Sequence, residues 1–155
     1  MNSRSIWPLV LVGMLIGLIF AEGGSQWHSG APLITPRLGA TAVVYGGKIY
    51  VLGGKTVGGT ILNTVECFDP AVGQWDDTCV PPFSDARFDA VAIIWNDELY
   101  LLGGVNHENE ITDEVEVYNF QQQSWREVEK MRRKRQGHVA YLVNGYICVM
   151  GGIRE

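Results

Sequence analysis

Cysteine is scarce. The 155 residues contain three, and no Cys-x-x-Cys occurs, which excludes a disulfide-framework fold and leaves no ligand spacing for a structural zinc. Cys67 and Cys79 fall on consecutive strands in the reading below, but the residue facing Cys67 is near Asp76, so free, buried thiols are expected. His28, His107 and His138 are not spaced as ligands on a shared strand, and no metal is expected. There is no Gly-x-Ser-x-Gly elbow for nucleophilic catalysis. Gly54-Lys55-Thr56 has the tail of a phosphate-binding loop, yet Ile49 stands where the earlier glycine is required, and no cofactor is expected. Basic residues are outnumbered, 12 against 17 acidic, for a net charge of -5; nucleic acid is not the expected partner. Beyond residue 24 no stretch repeats its apolar residues at period 3.6, which leaves little room for helix.

Glycine, by contrast, is abundant and ordered. Gly53-Gly54, Gly103-Gly104 and Gly151-Gly152 each follow an apolar strand-like run (Ile49–Leu52, Leu99–Leu102, Ile147–Met150), at spacings of 50 and 48 residues. An arginine stands sixteen residues before each pair (Arg37, Arg87, Arg135), and an aromatic precedes a tryptophan by seven (Phe68 and Trp75, Tyr118 and Trp125). Alternating stretches such as Thr64–Phe68 and Glu114–Tyr118 have the period of half-buried strands. Thr41–Tyr45 and Lys48–Leu52 read as a hairpin around Gly46-Gly47; Asn96-Asp97 and Asn144-Gly145 hold the same place, all residue types that tolerate positive φ. Diglycine ends the second strand, the third turns through residues 69–73, and a fourth starts near Trp75. Each unit is thus a four-stranded antiparallel meander, and such sheets must pack face to face to cover both surfaces.

Period and landmarks together resemble the kelch repeat, the blade of kelch β-propellers. The residues carrying the resemblance are Arg37, Ile49-Tyr50-Val51, Gly53-Gly54, Leu62-Asn63, Val65-Glu66, Phe68-Asp69-Pro70 and Trp75, with their counterparts about fifty residues on. The expected fold is all-β: about two and a half to three kelch-type blades, a partial propeller. The expected organisation is a blade end over 25–36, blades over 37–84 and 85–134, and a partial blade over 135–155. The tryptophans read as inter-blade packing.

Residues 1–24 admit two readings. Arg4 followed by the sixteen uncharged residues Ile6–Ala21 resembles a secretory signal and is short for a membrane span, which needs about 20. Alternatively Trp27 lies ten residues before Arg37, as Trp125 does before Arg135, so 18–36 fits the third and fourth strands of a preceding blade, with Phe20 in the place of Phe68. The two are compatible if cleavage near Ala21 or Gly23 leaves the Trp27 strand first; the expected location is cytoplasmic, or the secretory pathway if residues 1–21 act as a signal.

In strand order, the loop entering each blade and the loop joining its second and third strands share one face, where binding residues concentrate. Lys55, Asp89, Asn106, His107, Glu108 and Asn109 are the candidates there, with Arg132, Arg133 and Lys134 from a tract holding half of the chain's basic residues. A solvated inter-blade loop is the plainer reading of that tract. The resemblance implies a protein-interaction surface with a protein client, often recruited to a cullin-type ubiquitin ligase through a separate BTB domain, or actin binding. No BTB segment is present in this sequence. The rival reading is a secreted kelch-propeller enzyme acting on sugars. Complementary partial blades at the two ends would also let two chains pair as a homodimer.

Overall fold

The computed structural model describes residues 9–11, 19–22 and 26–154. All regular structure among them is strand. Three short strands, β1 (Leu9–Leu11), β2 (Ile19–Glu22) and β3 (Gln26–Ser29), form an antiparallel sheet in that order. Strands β2 and β3 make a hairpin within the span of the preceding-blade reading. Its register differs by one residue, because Phe20 faces His28, whereas Phe68 faces Trp75. Residues 1–8 and 12–18, most of the signal-like segment, lie outside the described residues.

The first full blade is the meander β4 (Thr41–Tyr45), β5 (Lys48–Leu52), β6 (Val65–Asp69), β7 (Gln74–Asp76). Its first hairpin turns on Gly46 and Gly47, both at positive φ, as a two-residue connection matching strand twist requires. The second blade contains β8 (Arg87–Phe88), β9 (Val91–Trp95), β10 (Glu98–Asn106), β11 (Ile111–Asn119) and β12 (Ser124–Glu127). Of the third, the structure describes β13 (Arg135–Gln136), β14 (Val139–Val143), β15 (Tyr146–Met150) and β16 (Ile153–Arg154). Strand β9 lies beside both β4 and β14, so the first strands of successive blades are neighbours.

Diglycine does not always end the second strand, as expected from the sequence. It does so after β5, but β10 runs on through Gly103-Gly104 with a bulge and pairs beyond it with β8. The first strand is broken in step. Gly39, Asp89 and Gly137 stand at equivalent places two residues after each arginine, and all three have positive φ. These kinks form an inter-blade ladder: Asp89 N donates to Gly39 O, and Gly137 N donates to Asp89 O.

Successive blades stack through alternate faces of their strands. Tyr50, Leu52 and Cys67 of the first blade pack on Leu99 and Leu101 of the second, and Leu102 of the second packs on Ala140, Ile147 and Val149 of the third. The expected free thiols at Cys67 and Cys79 are corrected. Cys67 does face Asp76 across the strands, but the Asp76 carboxylate accepts the Thr78 amide and hydroxyl at 2.8 and 2.7 Å. That turn bends the chain back, bringing Cys79 to 6.2 Å from Cys67 (Cα–Cα), and the two form a disulfide. The period-two pattern could not show this, because Cys79 lies past the strand's end. Cys148 is free.

Candidate interaction face

The first and second blades are each held by a buried arginine and glutamate. Arg37 Nη2 donates to Glu66 Oε1 at 2.5 Å, and Glu66 also accepts the amides of Ile34 and Thr35 at 2.8 and 2.9 Å. Arg87 pairs with Glu116 in the same way, and Glu116 accepts the Ser84 amide at 2.8 Å. A carboxylate on the third strand thereby grips the segment leading into the first. The tryptophans do the same with an indole N–H: Trp75 Nε1 donates to Ala31 O at 3.0 Å and Trp125 Nε1 to Pro81 O at 2.8 Å. The landmarks thus fix the entering loops, whose backbone would otherwise be free to move.

At Gly53, Gly54, Gly103, Gly104, Gly151 and Gly152, φ is positive. At Gly104 a Cβ would lie 2.6 Å from Phe88 O and 2.9 Å from Ala90 Cβ. The pair serves close strand approach, as its place predicts.

The two loops that share a face meet. His107 Nδ1 lies 2.5 Å from Asp85 Oδ1, joining the turn after β10 to the loop before β8. That hydrogen bond raises the His107 pKa above its usual value, the Asp85 charge adding to it. His107, Glu108 and Asn109 are exposed. Asn106 is half-buried, its Oδ1 accepting the amides of Glu108 and Glu110 at 3.0 and 2.9 Å, so it shapes the turn. Thr56 does the same in the first blade, accepting the Thr60 amide at 3.1 Å. Lys55 sits over the Phe88 ring, 5.2 Å from its centroid, and Asp89 belongs to the ladder described above. Arg132 and Arg133 are exposed and Lys134 half-buried. Two residues before Arg132, Lys130 pairs with Glu114, its Nζ 3.4 Å from Glu114 Oε1.

Sequence reasoning missed four residues here. Asp85 had no repeat signal, since Thr35 and Arg133 take its place in the other units. Glu66 and Glu116 were legible as repeat positions but not as buried acceptors. His138 occupies the place of Ala40 and Ala90, a break in the repeat that could have flagged it. It is 4% exposed, and neither ring nitrogen has a partner among the described residues. Burial, aided by Arg135, lowers its pKa and keeps it neutral. Among the described residues no group of His, Cys, Asp and Glu is arranged to hold a metal ion.

A rigid stack of blades with ordered loops at one end defines a β-propeller scaffold of the kelch type. The family described as the KLHDC2/KLHL20/DRC7 Kelch-repeats domain matches residues 24–152, and the chain belongs to the kelch-repeat family. Kelch-like protein 4 of Homo sapiens is 41% identical over 54 residues, 35% of this chain and 7% of that protein. Kelch-like protein 23 of Mus musculus is 36% identical over 53 residues, covering 34% and 10%. Alpha-scruin of Limulus polyphemus is 32% identical over 72 residues, covering 43% and 8%. The chain therefore spans a tenth or less of the length of these relatives.

Proposed function

We propose that this chain is a non-catalytic protein-interaction module that recognises a protein client through the loops at one end of its blades, in the manner of kelch-like adaptors that recruit substrates. The observation carrying this reading is the junction of Asp85 with His107, which ties two loops into one exposed surface. Binding residues held on rigid turns lose little entropy on association. Glu108, Asn109, Arg132 and Arg133 are its exposed polar neighbours in the sequence reading. Membership of the kelch-repeat family supports interaction over chemistry.

The test is client recovery by the wild-type chain and by a variant with Arg132, Arg133 and Lys134 all changed to Glu. The reading expects loss of an acidic client with little change in melting temperature, since rim charges act chiefly on association. Unchanged recovery of the same client would move the site away from this tract. Turnover of a galactose or sialic acid substrate would instead support the rival sugar-acting enzyme.

A further inference from the structure

The connection from β7 to β8 is built differently from its counterpart after β12. In both blades an amide beyond the tryptophan donates to a carbonyl near the start of the third strand, Phe83 N to Asn63 O at 3.1 Å and Met131 N to Asp113 O at 2.8 Å. Phe83 lies eight residues after Trp75, and Met131 six after Trp125, so the first connection carries two extra residues. In the shorter one Val128 N donates to Val115 O at 3.1 Å, which ties it to β11. In the longer one the Thr78 amide is taken by Asp76 Oδ1, and Pro81 and Pro82 have no amide to give. The disulfide to Cys67 on β6 does the tying instead. Val117 holds the place of Cys67 in the second blade, each facing the tyrosine of the second strand, Tyr100 and Tyr50. The sheet itself therefore does not need a cysteine there.

The two sulfurs differ in access. Cys67 is 3% exposed, whereas Cys79 is half-buried beside the exposed Asp77 and Thr78, so a thiolate arriving from solvent meets Cys79 Sγ first. We infer that the Cys67–Cys79 pair is a reversible thiol-exchange site that fastens the 77–82 connection when oxidised and releases it when reduced. A dithiol reductant supplies the two electrons. One of its thiolates attacks Cys79 Sγ, the bond to Cys67 Sγ breaks, and Cys67 leaves as a thiolate that takes up a proton. The second thiolate then attacks the mixed disulfide, Cys79 leaves and is protonated in turn, and the reductant departs as its own disulfide. A small disulfide oxidant reverses the sequence. Without the bridge the connection keeps only the burial of Val80 and the bond from Trp125 Nε1 to Pro81 O. Beyond it Phe83 and Ser84 stay anchored by Asn63 and Glu116. Opening is therefore local, and Asp85 keeps its place. The effect on a client rests on the reading above that this end of the blades is the client face: the oxidised form binds more tightly, because less of the surface is left to order.

The full chain is compared with and without dithiothreitol, in the absence of denaturant, by amide hydrogen exchange and by maleimide labelling. Reduction should open the bridge in the folded chain, raise exchange over residues 77–80 by about tenfold or more, and leave β10 and β11 unchanged. Cys79 should then label faster than Cys67. Cys67→Val, which copies the second blade, should show the fast exchange with or without reductant. A bridge that opens only in denaturant, exchange over 77–80 that is the same in both redox states, or equal labelling of the two thiols would each overturn the inference. A client should bind the oxidised chain about threefold or more tightly than the reduced one, and equal affinities would overturn the link to the client face. Absence of any client in either state would count against the interaction reading alone, since exchange and labelling decide the switch.

Discussion

Replacing Glu66 with Gln should be among the most damaging single changes in the first blade. Both members of the Arg37–Glu66 pair are all but inaccessible, with side-chain exposures of 1% and 0% at a separation of 2.5 Å. The variant keeps the side chain's shape but leaves the guanidinium buried without a counter-charge. One amide oxygen also cannot accept from Ile34, Thr35 and Arg37 as two carboxylate oxygens do. Breaking a buried pair from one side costs about 3–5 kcal/mol, a large share of the roughly 5–15 kcal/mol that holds a domain together. At roughly 2–4 °C per kcal/mol for a chain of this size, the melting temperature should fall by about 10 °C. Urea unfolding followed by tryptophan fluorescence measures the loss directly. The companion variant Arg37→Met and the double variant complete a cycle. Removing both charges should cost less than the sum of the single losses, by about 2 kcal/mol, because no charge is then left stranded. A loss below about 1 kcal/mol for Glu66→Gln, or strict additivity in the cycle, would refute the claim that this pair locks the entering loop.

Reducing the Cys67–Cys79 bridge, which closes a separation of 12 residues, should lower stability by roughly 3 kcal/mol; identical unfolding midpoints with and without reductant would show that the bridge does not form. Gly104→Ala meets Phe88 O and Ala90 at positive φ, whereas a Cβ on Gly58 meets only Thr56 Oγ1 at 3.8 Å. The first change should therefore cost about 1–3 kcal/mol, and the second should leave thermal stability nearly unchanged; equal shifts would contradict the packed-diglycine argument. His138, neutral in the fold with a lowered pKa, takes up its proton more readily when unfolded, so its contribution is complete above its ordinary value of 6.5 and is lost as pH falls below it. His138→Ala should flatten the drop in melting temperature between pH of about 7.5 and about 5.5, and an unchanged drop would locate the acid sensitivity elsewhere. His107 works in the opposite sense, its stabilising bond fading as pH rises through its raised pKa, but its ring is 63% exposed and solvent screening keeps that contribution small.

Strand positions were readable because burial imposes a period of two and turns demand special residues. Thr41–Tyr45 and Lys48–Leu52 match β4 and β5 residue for residue. The arginine, diglycine and tryptophan landmarks were readable because each recurs at one spacing. What escaped was geometry outside the ladder. Asp76 capping Thr78 carries Cys79 back over Cys67, and no alternation encodes such a turn. Asp89 is a loop-face candidate in the sequence, yet its positive φ and its bonds to Gly39 and Gly137 make it part of the inter-blade ladder. Aligning it with those two glycines would have revealed the shared backbone demand. Asn109 has positive φ as well, so a β-branched residue there would strain the turn.

The central claim is that partners meet the end of the blades where Asp85 and His107 join. A photo-reactive amino acid placed at His107, and separately at Gln122 in the exposed turn after β11, tests it directly in cells making the full chain. The account predicts covalent capture of the same protein client from position 107 and none from position 122. Capture from Gln122 with none from His107 would place recognition on the opposite end of the blades and contradict it.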